Sequence, residues 1–125
     1  MSVPVAGLYT VEQARQIIDE LGPTFDEVIS CRAAAVELGA AVDGGLSSAR
    51  GGLPELKAAQ ARLDELLTLI AATGVQIKGI APLLLDFPAE LDGMAVLLCW
   101  LEGDPELGWY HRVELGFAGR RRLPS

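Results

Sequence analysis

The residue types that can do chemistry lie mostly between Asp86 and Arg120, in the last third of the chain. Asp86 stands inside the apolar run Leu-Leu-Leu-Asp-Phe-Pro. A carboxylate buried in such a run needs a partner, and Lys78, Arg112 or Arg120 are the residues expected to supply it. A structural ion pair and a functional carboxylate fit this pattern equally well.

The second feature is an apolar hairpin that carries both tryptophans and the only histidine. A turn tip at Asp104-Pro105 predicts four cross-strand pairs: Leu101 with Gly108, Trp100 with Trp109, Cys99 with Tyr110, and Leu98 with His111. Because side chains alternate along a strand, Trp100, Trp109 and His111 are expected on one face and Cys99 on the other. A shift of one residue in the pairing would exchange the two faces.

Four residues form the hypothesised ligand site: Asp86, Trp100, His111 and Arg120. Aromatic rings would give contact area, and the imidazole would supply an acid, a base or a ligating nitrogen. Cross-strand packing of the tryptophans, with His111 at the sheet edge, explains the hairpin without a ligand and is favoured. For Cys99, plain burial in an apolar strand is favoured over a nucleophilic role.

The sequence predicts no metal site and names no cofactor. The carboxylates of Glu102, Asp104 and Glu106 crowd one turn, where solvated charges are the simpler explanation. His111 and Glu114 form a weak metal pair that lacks further protein ligands. The two cysteines are far apart and have no CxxC spacing, so neither a disulfide scaffold nor a structural zinc site is expected. No reaction is indicated, and enzymatic activity stays an open question.

The elements that must position these residues begin with a long helix. Thr10 and Gln13 have the spacing of a capping box. Apolar residues then recur every three or four positions as far as Val42. Gly22-Pro23 interrupts the pattern without changing its phase, so one helix kinked near Pro23 is favoured over two helices at about 10–22 and 23–43.

A glycine-rich loop at residues 43–52 separates this helix from a second one, which is expected to end at Thr73-Gly74. Two long helices joined by a short loop predict an antiparallel helical hairpin over residues 10–74. The first helix is longer than the second, so part of its apolar stripe must be buried against something other than the second helix. A homodimer formed through the helices is the natural expectation.

After Gly74 the helical periodicity stops. Apolar segments separated by turns at Asp92-Gly93 and at residues 102–106 predict a small antiparallel sheet of about three strands. The expected fold class is therefore α+β. One domain over residues 1–125 is expected, with the helical hairpin at 10–74 and a β-rich cap at 75–125.

Charge and hydropathy exclude some classes of function. The formal net charge of −7 argues against a nucleic-acid-binding protein, which needs a basic face to neutralise phosphates. The sequence has no signal segment and no apolar run of the roughly 18 residues that a membrane span needs. A cytoplasmic protein without a membrane partner is expected.

Several motifs resemble those of a known family. They are Tyr9-Thr10-Val11-Glu12-Gln13-Ala14, Gly74-Val75-Gln76-Ile77-Lys78, Leu85-Asp86-Phe87-Pro88, Leu98-Cys99-Trp100, Trp109-Tyr110-His111 and Gly116-Phe117-Ala118-Gly119-Arg120. In this order they are similar to the bacterial family called domain of unknown function 2203. Gly103-Asp104 departs mildly from the Gly-Glu that the family often has there. The resemblance implies a small cytoplasmic prokaryotic protein with long N-terminal helices, and it implies no activity.

Two functions follow as hypotheses. The apolar stripe from Val11 to Val42 favours a self-associating interaction or structural protein. The alternative is a small-molecule or metal-binding protein, an enzyme included, with its site on the C-terminal hairpin.

Overall fold

The computed structural model describes residues 7–45 and 51–124 and has the predicted α+β class. Its helices are α1 Val11–Glu20, α2 Gly22–Asp43 and α3 Leu53–Ala71. Its strands are β1 Gln76–Ile80, β2 Leu83–Leu91, β3 Met94–Leu101, β4 Trp109–Arg112 and β5 Arg121–Arg122. These five strands form one antiparallel sheet in chain order, where about three were predicted. Of the predicted glycine-rich loop, residues 46–50 lie outside the described ranges.

The chain divides into two compact units. The sheet unit contains the described residues up to Glu20 and from Ala71 onward, and so includes α1 and all five strands. The helical unit is Leu21–Ile70, which contains α2 and nearly all of α3. Thus α1 belongs with the strands and not with the other two helices.

The start of α1 is fixed by the predicted capping box and by contacts with the sheet. Gln13 N donates to Thr10 Oγ1 and Thr10 N donates to Gln13 Oε1, both at 3.0 Å. Just before the helix, the Tyr9 ring packs edge-on against Phe87 with centroids 5.2 Å apart, and Tyr9 N donates to Pro88 O at 2.7 Å. These contacts explain why α1 is part of the sheet unit.

The favoured single kinked helix is not what the structure shows. Helix α1 ends at Glu20, Leu21 follows, and α2 begins at Gly22 with proline in its first turn. A proline in the first turn costs little, because the backbone N–H groups there have no intrahelical partner anyway. The alternative of two helices, which the same Gly-Pro signal offered, is the arrangement observed.

In the helical unit, a bidentate ion pair links α2 to α3. Arg62 Nε and Nη2 donate to the two carboxylate oxygens of Glu27 at 2.7 and 2.9 Å, and Arg62 Nη1 donates to Glu65 at 3.0 Å. The hydrogen bonds that Glu27 accepts from Arg62 lower the pKa of its carboxyl group. Within residues 7–45 and 51–124, no helix combines the length and hydropathy needed to cross a membrane.

Both faces of the sheet contain buried side chains. The Phe87 face carries the apolar residues Leu85, Phe87, Val96, Leu98 and Trp100. The Asp86 face carries Leu84, Asp86, Leu97, Cys99, Leu101, Trp109 and His111. Apolar packing therefore occupies the first face, and the reactive residue types lie on the second.

The register of β3 with β4 differs from the predicted one by a single residue. Cys99 pairs with Trp109, and Leu97 pairs with His111. The cause is the turn, which is centred on Asp104. Its carboxylate accepts from Leu101 N at 2.9 Å, its own N–H donates to Leu101 O at 2.8 Å, and its carbonyl accepts from Trp100 Nε1 at 3.2 Å. As a result Cys99 shares a face with His111, and Trp100 does not.

Candidate metal centre

Three potential ligands meet on the Asp86 face. Asp86 on β2 is directly opposite Cys99 on β3, and His111 comes from the next strand, β4. All three are buried, with residue exposures of 3% for Asp86, 0% for Cys99 and 3% for His111. A carboxylate oxygen, the thiol sulfur and an imidazole nitrogen all lie within 4.8 Å of one another. We call this group the Asp86 cluster.

The tautomer of His111 follows from its hydrogen bonds. Nδ1 lies 2.8 Å from the carbonyl oxygen of Arg112, which can only accept, so Nδ1 carries a proton and donates it. Nε2 lies 3.2 Å from Oδ2 of Asp86. In the neutral ring Nε2 has a lone pair, so two acceptors face each other in a buried place. A proton or a cation must lie between them.

Asp86 also has a poorly satisfied oxygen. Its Oδ1 is buried and has no partner with good hydrogen-bond geometry among the described residues, although a hydrogen bond from the Cys99 thiol to Asp86 contributes to the raised pKa of Cys99. A thiol is a weak donor, so this buried carboxylate oxygen can accept a stronger partner. Two of the three predicted ion-pair partners are wrong: Asp86 faces His111, while Arg112 pairs with Glu114 and Arg120 with Asp104.

Cys99 is buried, as its apolar strand predicts. Burial, and after it the negative charge of Asp86, raises the pKa of Cys99 to about 12, while the positive charge of Arg120 opposes the rise. The thiol is therefore protonated near neutral pH and is a poor nucleophile. A bound metal ion would displace that proton, because the thiolate is the form that coordinates metals.

The other two residues of the hypothesised site lie outside the Asp86 cluster. Trp100 is on the Phe87 face, because the register differs from the predicted one. Arg120 donates from Nη2 to both carboxylate oxygens of Asp104, at 2.9 and 3.2 Å. Its guanidinium carbon is 4.4 Å from the centroid of Trp109, the residue opposite Cys99. The structure thus joins Asp86 with His111, places Arg120 beside that face, and excludes Trp100.

Sequence reasoning omitted Cys99 from the site. The signal that finds it is the strand register, which puts Cys99 on the face of His111. With Cys99 included, the donors are one nitrogen, one oxygen and one sulfur. That set suits a zinc-class cation, whose bonds of about 2.0–2.3 Å put tetrahedral ligand atoms roughly 3.3–3.6 Å apart. The Nδ1–H bond to a carbonyl is also the usual support for a metal-ligating imidazole.

Comparison with known proteins identifies the family. A family model described as "Uncharacterized conserved protein (DUF2203)" matches residues 7–123, nearly the whole chain. The chain belongs to this family, which confirms the resemblance of its motifs. No curated protein and no solved structure matches the chain at a significant level.

Proposed function

We propose that this member of the DUF2203 family is a metal-binding protein, with a zinc-class divalent cation held by Asp86, Cys99 and His111. One observation carries the proposal. Nε2 of His111 and Oδ2 of Asp86 are 3.2 Å apart in a buried place while Nδ1–H is committed to a carbonyl. A cation between the two atoms would satisfy both lone pairs and would also bind the sulfur of Cys99, which lies directly opposite Asp86.

The donor types support zinc over the hard cations. Calcium and magnesium take mostly oxygen ligands, whereas thiolate and imidazole together favour zinc and its neighbours in the first transition row. Charge also supports the choice. One thiolate and one carboxylate neutralise a divalent cation, so the loaded Asp86 cluster would place no net charge in an apolar interior.

Three protein ligands leave the fourth position of a tetrahedral ion for a water molecule or another ligand. This is the pattern of catalytic rather than structural zinc sites. The Asp86 cluster is nevertheless deeply buried, and no reaction is assigned to it.

Metal titration of the full chain tests the proposal. Protein stripped with a chelator should bind one Zn²⁺ per chain, measured by elemental analysis after desalting. Co²⁺ in its place should give a thiolate-to-cobalt charge-transfer band. Cys99→Ser should abolish that band, and the matched control Cys31→Ser should keep it, because Cys31 is a half-buried thiol on α2 of the helical unit.

Two results would contradict metal binding. One is that metal-free wild-type protein binds no more zinc per chain than the Cys99→Ser variant does. The other is a band that depends on Cys31. In either case His111 and Asp86 would hold a shared proton as a structural pair.

We also propose self-association through the helical unit, which contains α2 and nearly all of α3. This second candidate is supported by large apolar side chains left exposed on these helices: Ile29 is 38% exposed, Val36 70% and Leu69 54%. A second copy of the chain, with the same apolar helices, is the partner we assign.

Sedimentation equilibrium at tens of micromolar should give a dimer mass for the wild type. Val36→Glu should shift the equilibrium toward monomer, whereas Met94→Glu, at an exposed apolar residue of the sheet unit, should leave it unchanged. A strict monomer for the wild type would contradict self-association.

A further inference from the structure

A short segment between β4 and β5 lies on the Asp86 face of the sheet. It runs from Leu115 to Arg120 and contains a 3-10 turn. Phe117 of this turn borders the same cavity as Leu84 and Leu101, which pair with each other on that face. We call residues 115–120 the strap.

The end of the strap lies beside the Asp86 cluster. The guanidinium carbon of Arg120 is 4.4 Å from the ring centroid of Trp109, which is the partner of Cys99 in the sheet. Burial is the main cause of the raised pKa of Cys99, but the charges of Arg120 and Asp104 also act on it. The strap therefore reaches the part of the face that carries the proposed metal ligands.

The strap is a thin cover for a buried site. None of the three residues in its turn, Phe117–Gly119, is buried, whereas all three residues of the Asp86 cluster are. The opposite face is filled with apolar side chains, and Tyr9 packs there against Phe87. A cation would therefore enter from the side on which the strap lies.

One ion pair fastens the strap at its Arg120 end. Nη2 of Arg120 donates to both carboxylate oxygens of Asp104, a residue of the β3–β4 turn. The two side chains are only 11% and 17% exposed, so solvent screens this pair less than a surface pair. Near the other end, Gly116 has a φ of 67°, a conformation that glycine adopts without steric cost. This glycine is the natural hinge, and the ion pair is the latch.

We propose that the strap is a hinged cover over the Asp86 cluster, latched by Arg120 and Asp104, and that its opening admits and releases the cation. The role in cation exchange rests on the proposed metal binding. Weakening the latch should speed entry and release by similar factors and leave the affinity nearly unchanged. An effect of charge alone differs in sign, because loss of the positive Arg120 would favour a bound cation and slow its release.

Alkylation of Cys99 measures opening without any metal. In the metal-free full chain carrying Cys31→Ser, Cys99 is the only thiol, and iodoacetamide reaches it when the strap is open. Arg120→Ala should raise the alkylation rate by about tenfold, because it removes the charged hydrogen bonds to Asp104. Arg120→Lys keeps the charge but not the paired hydrogen bonds and should lie between the two, which keeps the test open if Arg120→Ala does not fold.

Arg122→Ala is the matched control. Arg122 has the same charge and lies over the same Trp109 ring, 5.1 Å from its centroid, but its removal keeps the latch. This variant should be alkylated at the wild-type rate. Low concentrations of urea should hardly change the wild-type rate, because a local opening exposes little surface, whereas global unfolding would make the rate rise steeply.

Exchange of Co²⁺ then tests the role in metal entry. Arg120→Ala should speed both Co²⁺ binding and its release to a chelator by about tenfold, and Arg122→Ala should change neither. Slower release from Arg120→Ala would show an effect of charge alone and would contradict the latch.

The outcomes separate this inference from the proposed function. If the two arginine variants are alkylated alike, or if the rate rises steeply with urea, the hinged cover is overturned even when zinc binds at one ion per chain. If alkylation responds as expected but no ion binds, the cover over the Asp86 cluster stands, and its role in cation exchange falls with the metal proposal.

Discussion

Replacing Asp86 with asparagine removes a buried negative charge while keeping the shape of the side chain. Without metal, the amide of the new residue can donate to Nε2 of His111, which has a lone pair when Nδ1 donates to the Arg112 carbonyl. In the variant, one neutral hydrogen bond takes the place of the contact between Nε2 and the carboxylate. The metal-free variant should therefore unfold with a free energy within about 1 kcal/mol of the wild type.

With zinc the free energies of unfolding of the two proteins should differ. A ligand at 100 times its Kd stabilises the folded state by about 2.7 kcal/mol, so the wild type should gain that amount and the variant almost none. Loss of an outer-shell partner alone costs about 10- to 100-fold in metal affinity, and loss of a direct ligand should cost at least as much. Urea unfolding with a chelator and again with excess zinc measures all four free energies.

Asp92→Asn is the matched control for this change. Asp92 is exposed in the β2–β3 turn with a φ of 51°, a conformation that asparagine tolerates well. It should leave the zinc effect intact. If Asp86→Asn instead costs about 3–5 kcal/mol in chelator and zinc adds nothing to the wild type, the Asp86 cluster is a structural ion pair.

Three further predictions concern Cys99, the cap of α1 and the turn at Asp104. Burial, and then the charge of Asp86, raises the pKa of Cys99 from 9.0 to about 12. Between these pH values the unfolded chain loses the thiol proton while the folded chain keeps it. The stability that Cys99 contributes is therefore present below about pH 9 and is lost as the pH rises toward 12. Metal-free wild type should lose up to about 1.4 kcal/mol per pH unit more than Cys99→Ala in that window, and equal slopes would contradict the stated cause. Thr10→Ala should cost about 1 kcal/mol by chemical unfolding, since it removes the helix cap, and an unchanged free energy would mean the cap contributes nothing. Asp104→Ala should cost more, about 2–3 kcal/mol, because it leaves Arg120 and Leu101 N without their acceptor, and a cost under 0.5 kcal/mol would argue against its role in the turn.

Local signals in the sequence were enough to predict much of the fold. The capping box of Thr10 and Gln13 and the Asp92-Gly93 turn depend on neighbouring residues alone, and both appear in the structure. The apolar stripe did not reveal that α1 belongs with the sheet. That outcome depends on the contact between Tyr9 and Phe87, which are far apart in sequence.

The candidate site depended on one residue of register. The turn tip can lie between Asp104 and Pro105 or on Asp104 itself. Its position decides whether Trp100 or Cys99 lies on the same face of the sheet as His111. The decision comes from the hydrogen bonds of Asp104, and composition does not reveal them. The partner of Asp86 also differs from the predicted one. His111 lies next to Asp86 on the same face of the sheet, whereas Arg120 is held by Asp104.

X-ray absorption at the zinc edge of the loaded full chain tests the proposed metal centre most directly. Binding by Asp86, Cys99 and His111 predicts one sulfur at about 2.3 Å and the remaining nitrogen and oxygen neighbours at about 2.0–2.2 Å, with the sulfur lost in Cys99→Ser. A spectrum with only nitrogen and oxygen neighbours, or a sulfur that persists in Cys99→Ser, would contradict it.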